Sequence, residues 1–317
     1  MQLAIMLGVA LLVYWLTSRG NRFIILISVL SIAALIWQGL RILPYTPLWK
    51  TEMLTAADSE SQPRVRFFLA NVLQKNRDAA ALLAQIAATD PDIILLIETD
   101  QWWSEQLEDL TSRYPESVLV PMSNTYGFSL YSRLPLHEAQ TRYLLKDDIP
   151  SVVTRVELDD GTDFMLWGLH PSPPRPGDDT DERDAELLIV AKEAAETSLP
   201  VVVTGDLNDV AWSATTTLFQ EISGLLDPRI GRGLYATFNA NWPLLKWPLD
   251  HLFASEEWTL GEFRTLDNIG SDHYPVLVEL SYQPQAAAEQ MGTPAESGDA
   301  ELAEEHIEEG REAAREE

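Results

Sequence analysis

The sequence predicts an α/β protein carried behind a membrane-embedded hairpin, and three observations lead there. From Arg64 onward, short β-branched apolar runs alternate with alanine-rich helical stretches. Run after run stops on a carboxylate, an amide or a histidine. The first forty residues hold two apolar stretches with almost no charge.

The 317 residues leave room for two average domains or one large one. There is no cysteine, which excludes disulfides, thiolate zinc sites and a cysteine nucleophile without fixing the redox compartment. A net charge of −27 repels phosphate backbones and disfavours tight nonspecific binding of nucleic acid. It leaves room for a nuclease whose local site is screened by a divalent cation.

Residues 1–17 ("MQLAIMLGVALLVYWLT") and Phe23–Leu40 are each close to the ~17–20 apolar residues that cross a hydrocarbon core as a helix. Residues 1–45 are therefore expected to form a two-helix transmembrane hairpin, against the alternative of a buried soluble hairpin. A cleaved signal peptide fits poorly, because no basic residue precedes the first run and no small-x-small site follows it. The connecting "SRGNR" carries Arg19 and Arg22, so the loop should face the cytoplasm and both hairpin ends the exterior. Trp15, Trp37, Tyr45 and Trp49 suit the membrane interfaces, and residues 46–63 read as an extended juxtamembrane linker. Membrane lipid is thus one expected partner, through residues 1–45; no protein partner is readable.

The soluble domain is expected over residues 64–283. "VRFFLANV" is a strand, "NRDAAALLAQIAAT" a helix capped near Asn76 or Asp78, and "IILLIE" a second strand. A right-handed crossover makes these strands parallel and puts Asn71 and Glu98 at one rim. Glu98 is there either a metal ligand or an ordinary helix cap. "DDGT" turns a hairpin whose second strand stops at His170, and "DERDAELLIVAKEAAETS" is an amphipathic helix. "PVVVTGDLND" then ends a buried strand on Asp206, Asn208 and Asp209, as a plain turn or as edge-of-sheet chemistry. "PLDHLFASE" brings Asp250 and His251, and "GSDHYPVLVEL" brings Asp272 and His273. Asn71, Glu98, His170, Asp206, Asn208, Asp250, Asp272 and His273 all lie at strand ends. An oxygen-rich set with few histidines suits a hard cation such as Mg²⁺. Beyond the domain, residues 284–317 carry eleven acidic residues against two arginines and no aromatics. They are expected to be a disordered acidic tail.

In this order, "LANV", "LLIETD", "GFSLYSRLP", "GLHPSPP", "TGDLNDV", "PLDHLFAS" and "SDHYPVLVEL" resemble the endonuclease/exonuclease/phosphatase superfamily, the DNase I-like fold, over residues 64–282. The resemblance implies a four-layer α/β/β/α sandwich with its site at one rim between two sheets. It implies a metal-dependent phosphoric ester hydrolase with Glu98 as principal Mg²⁺ ligand, Mn²⁺ as a possible substitute, and Asn71 and Asp272 lining the metal side. Asp206 would act on the attacking water or the leaving oxygen, and Asn208 would hold the phosphate and orient Asp206. His273 would contact the scissile phosphate, Asp250 would fix its ring, and His170 would be a second donor; His251 is read as structural. The substrate would be a phosphodiester in nucleic acid, a phospholipid or a small molecule.

The apolar N-terminus, "RILPYTPLW" and "GLHPSPP" look most like bacterial membrane-anchored members. Such members often have three membrane helices, so a further helix ahead of the first run is also an expectation. The inositol polyphosphate 5-phosphatase pattern is missing, and so is the basic surface of apurinic endonucleases. A calcineurin-like phosphoesterase would need Asp-x-His and Gly-Asn-His-Glu/Asp segments, and a serine hydrolase a Gly-x-Ser-x-Gly elbow; neither is present. A membrane-tethered binding or sensor protein with an inactive domain is the alternative from another class.

Overall fold

Two β-sheets lie face to face, and the side chains between them form the main core. The computed structural model describes residues 22–57, 62–174, 179–243 and 245–316, together with Gly8, Leu12 and Tyr14. One sheet is built from β1 (Arg64–Asn71), β2 (Ile93–Ile97), β3 (Glu116–Val120), β4 (Phe128–Ser132), β10 (Trp258–Thr265) and β11 (Val276–Tyr282), in the order β10-β11-β1-β2-β4-β3. The other holds β5 (Leu136–Tyr143), β6 (Pro150–Glu157), β7 (Asp163–Leu169), β8 (Val201–Asp206) and β9 (Asp250–Ala254), in sequence order.

Strand alternation divides the apolar side chains between layers. Phe67, Leu69, Ile93 and Leu95 point between the sheets, towards Leu166 and Val202. Their neighbours Phe68, Ala70, Ile94 and Leu96 point outward onto Leu82 and Ile86 of helix α2 (Ala79–Thr89). On the second sheet Val201 and Val203 point outward onto α4 (Asp181–Glu196) and α5 (Ala214–Ser223). Burial on both faces is why these strands read as continuous apolar runs. The expected α/β sandwich of two sheets with outer helices is present. Asp78 caps α2 by accepting from Ala81 N, and a short α3 (Gln101–Gln106) follows β2.

The pairing fixes where the site will be. β1 and β2 are parallel, joined across α2; β7 and β8 are parallel, joined across α4. β11 runs antiparallel to β1, and β9 antiparallel to β8. The carboxyl ends of four strands and the leading ends of two therefore meet at one rim. Gly205 is required there, because a Cβ would lie 1.9 Å from the Leu169 carbonyl oxygen on the adjacent strand.

The first apolar run lies outside the described residues except for three positions, so the two-helix hairpin is represented by a single helix, α1 (Arg22–Ile42). Among the described residues it is the one helix long and apolar enough to cross a membrane. Two expectations are corrected. Residues 46–63 are not a free linker: Met53 is fully buried in the main core, Thr55 bridges to Leu260, and Glu52 accepts from Asp227 N at 2.7 Å. Nor is the tail of residues 284–317 disordered. Asp299–Glu316 form a helix, α6, that lies on α4 and α5. Ala303, Ile307 and Gly310 make a narrow stripe at helical spacing, small enough for close approach; Ile307 and Ala303 pack with Leu188 and Leu218. Lys192 of α4 adds an ion pair to Glu304.

The docking of α6 is testable. Ile307→Ala is expected to destabilise the protein by about 2–4 kcal/mol, the usual cost of truncating a buried isoleucine. Thermal unfolding followed by circular dichroism should show Tm lowered by several degrees, while Leu302→Ala, at 43% exposure, shifts it far less. Equal shifts would mean that the helix does not pack as described.

Candidate active site

At the rim, seven of the eight strand-end residues line one cleft of about 450 Å³: Asn71, Glu98, His170, Asp206, Asn208, Asp272 and His273. Asp250, the eighth, stands directly behind His273. The sequence-predicted set is thus brought together as a single constellation.

Asp206 is the last residue of β8 and pairs across the ladder with Asp250, the first of β9. His273 Nδ1 donates to Asp250 Oδ2 at 2.7 Å, and its Nε2 lies 3.6 Å from Asp206 Oδ2. Burial disfavours charge on this imidazole. The Asp250 and Asp206 carboxylates outweigh that penalty and push its pKa up to about 10, so the ring is a cation at neutral pH. Asp206 is buried, and burial together with the nearby Asp250 charge raises its pKa despite the opposing imidazolium. Its Oδ1 accepts from Asn208 N at 3.1 Å and its Oδ2 from Asn71 Nδ2 at 3.1 Å.

Asn71 also donates to Glu98 Oε1 at 2.9 Å, so one amide joins the two sheets' carboxylates. Its Oδ1 accepts from Leu73 N. The second Glu98 oxygen accepts from Gln74 N at 3.0 Å. Burial raises the Glu98 pKa, and the Asp206 and Asp272 charges add to the shift, against those two hydrogen bonds. Glu98 holds a left-handed backbone (φ 65°), as does Asn208 (φ 51°). Such conformations cost about 1–3 kcal/mol each and aim side chains where a regular strand would not.

Asp206, Asp250 and His273 form a group of potential ligand atoms, all within 4.8 Å of one another. His273 there bears a proton between two carboxylates and already supplies their countercharge. On the other side of the cleft Glu98, its pKa raised, faces the Asp206 and Asp272 carboxylates. Ser271 ties this side together, donating to Asn71 O at 2.7 Å and accepting from His273 N at 3.0 Å.

His170 is buried beside Tyr126, with its Nδ1 unpartnered. Burial pushes its pKa down to about 4, the Asp206 charge opposing and the His273 charge adding, so it is neutral. His251 faces away from the cleft. Its Nδ1 accepts from Arg229 and its Nε2 donates to Asp209 O, a structural role. Three contributors carry no sequence signal used above. Arg183, in the first turn of α4, donates to Asn208 O at 3.0 Å and to Asp184, holding the turn after Asp206. Phe238 and Trp247, from an irregular loop, form an apolar wall on which the His273 ring rests.

The sequence model described as "Endonuclease/Exonuclease/phosphatase family" matches residues 65–273. The comparison with curated proteins found no match. Among solved structures, D. rerio TDP2 complexed with a single-strand DNA product superposes with a TM-score of 0.58 at 16% identity, covering 68% of this chain and 98% of that one. The human Nocturnin catalytic domain with bound sulfate gives 0.58 at 17%, covering 70% and 94%. A Bacteroides thetaiotaomicron mannosyl-6-phosphatase gives 0.53 at 20%, covering 68% and 99%. At such identities the likeness is one of fold.

The neutral state of His170 has a pH signature. Its folded pKa of about 4 lies below the ordinary value of 6.5, so the unfolded chain takes up the proton first. The stabilising contribution is complete above pH ~6.5 and is lost as pH falls towards 4. His170→Asn should flatten the loss of denaturant midpoint across that window relative to wild type. An unchanged slope would show that His170 is protonated in the folded protein.

Proposed function

Because the chain belongs to the endonuclease/exonuclease/phosphatase family, we propose that it is a Mg²⁺-dependent phosphoesterase that hydrolyses a phosphodiester by attack of water activated at Asp206. The single observation that carries this reading is the Asp206–His273–Asp250 array facing Glu98 across one cleft. Asp206 has the raised pKa of a carboxylate suited to taking a proton from water. His273 presents Nε2–H as a charged donor to a phosphoryl oxygen, while Asp250 holds the ring by Nδ1. Asn208, its backbone N–H on Asp206 and its side chain on Pro171 O, keeps the carboxylate oriented. Neutral His170 adds an uncharged polar edge.

The donor set fits a hard cation, since Glu98, Asp206 and Asp272 crowd negative charge that a divalent ion would relieve. Glu98, with Asn71 and Asp272 beside it, would hold Mg²⁺, or Mn²⁺ in its place, and the bound ion would offset charge on the phosphoryl oxygens. We further place the enzyme as a bacterial membrane-anchored member, held in the cytoplasmic membrane by its N-terminal helices. The basic residues Arg19 and Arg22 would orient the catalytic domain to the exterior.

Asp206→Asn keeps size and hydrogen bonding but removes the base, and should lower turnover of a phosphodiester by ~10²–10⁴ with Mg²⁺ binding intact. His273→Ala should behave alike, and Asp250→Asn should be milder. Wild-type turnover in Asp206→Asn would reduce the motif to a turn. Mg²⁺ should raise the Tm of the wild type and leave that of Glu98→Gln nearly unmoved, with partial activity regained at high metal. Equal Tm increments in the two proteins would remove Glu98 from the cation site.

A further inference from the structure

The helix that leads into the domain is not a loose tether. Leu26, Leu30, Ile36, Trp37 and Leu40 of α1 are each more than half exposed, whereas Ile42 and Tyr45 are buried in the domain. The apolar face ends and the domain begins within a few residues. Tyr45 Oη donates to Ala211 O at 2.5 Å, and the Tyr45 ring meets Trp212 edge-on. Ala211 lies five residues beyond Asp206, a stretch that spans at most about 18 Å. The catalytic turn is therefore pinned close to the end of the membrane helix. Leu48, 86% exposed, and Trp49 flank that same end, the side chains that enter an interface. The cleft is itself two-sided, with Phe238, Trp247 and Leu249 facing the acidic rim, and Trp242 of the same loop is exposed.

We propose that the cleft acts on the phosphodiester head groups of lipids in the membrane that holds the chain. This rests on the phosphodiesterase reading above and adds the substrate class. The apolar wall faces the diacylglycerol end of such a lipid, and the His273 donor with the cation that Glu98 would hold faces its phosphate. The net charge of −27 works against a polynucleotide, while anchoring raises the local concentration of a lipid. Water oxygen bonds to phosphorus, one P–O ester bond breaks, and the departing oxygen takes a proton; the products are a phosphomonoester and an alcohol.

The test uses the full chain reconstituted with Mg²⁺ in phosphatidylcholine vesicles. Release of water-soluble head group is measured beside hydrolysis of bis(p-nitrophenyl) phosphate and of a single-stranded oligonucleotide. A flexible Gly/Ser segment of about twenty residues between Arg41 and Ile42, ~25 Å in r.m.s. span, leaves the docked residues in place. It should lower head-group release about tenfold or more and leave the soluble diester rate unchanged. Leu48→Ser with Trp49→Ser, which do not line the cleft, should do the same and decides the matter if the insertion lowers both rates. The proposal is overturned if wild type cleaves the soluble diester but no lipid, if it cleaves the oligonucleotide faster than lipid, or if the serine pair leaves the ratio of lipid to soluble turnover unchanged. Hydrolysis of none of the three overturns the phosphodiesterase reading as well.

Discussion

Negative charge held where water cannot screen it is the constraint on which this structure turns. Asp206 and Asp250 are buried side by side, with Glu98 and Asp272 at the cleft edge, and among them the His273 imidazolium supplies positive charge. Removing one partner from a buried ion pair costs about 3–5 kcal/mol, so the array tolerates little displacement. The two parallel strand pairs provide the rigidity this needs. They deliver Asp206 as the last residue of β8 and Glu98 directly after β2, from strands whose other residues are locked between core layers. The left-handed backbones at Glu98 and Asn208 persist because hydrogen bonds to Gln74, Asn71 and Asp206 hold both residues from either side.

A second set of charges supports the first from behind. Arg229 is fully buried, paired with Asp227 and donating to His251, whose other nitrogen donates to Asp209 O in the turn that follows Asp206. Glu52 accepts from Asp227 N at 2.7 Å, and burial pushes its pKa up to about 8. Asp209 in turn accepts from Ser213 and Thr216 at the start of α5. The segment that follows α1, the loop at residues 225–233 and the turn after Asp206 are thus parts of one polar network.

The strand-end residues were legible because a polar group interrupting an apolar run is a local signal, and parallel crossovers send such groups to one rim. Asn71, Glu98 and Asp206 meet for that reason, and His273 joins them from the leading end of antiparallel β11. Arg183 was hidden because an arginine in the acidic first turn of a helix reads as ordinary solvated charge; its partner, the Asn208 carbonyl, is set only by tertiary packing. Phe238 and Trp247 come from a loop without periodicity. The terminal helix was missed because its contact stripe is two small residues and one isoleucine, too little apolar surface to stand out in an acidic stretch. Met53 was missed for the converse reason, as an isolated anchor in a segment with no repeating pattern, and Tyr45, expected at a membrane interface, is instead buried against Ala211 and Trp212.

The docked segment between the helix and β1 changes what a soluble form of this enzyme must contain. A truncation beginning at Arg64, where the regular strands begin, would discard Met53 and empty a filled position in the main core. A single such loss typically costs about 2–5 kcal/mol, a large part of a domain's net stability. It would also leave Asp227 N and the Arg232 guanidinium without their acceptors at Glu52 and Met53 O. A chain begun at Ile42 keeps all of these contacts while shedding the exposed apolar side chains of α1. Detergent-free enzymology therefore depends on twenty-two residues that look, on paper, like expendable spacer.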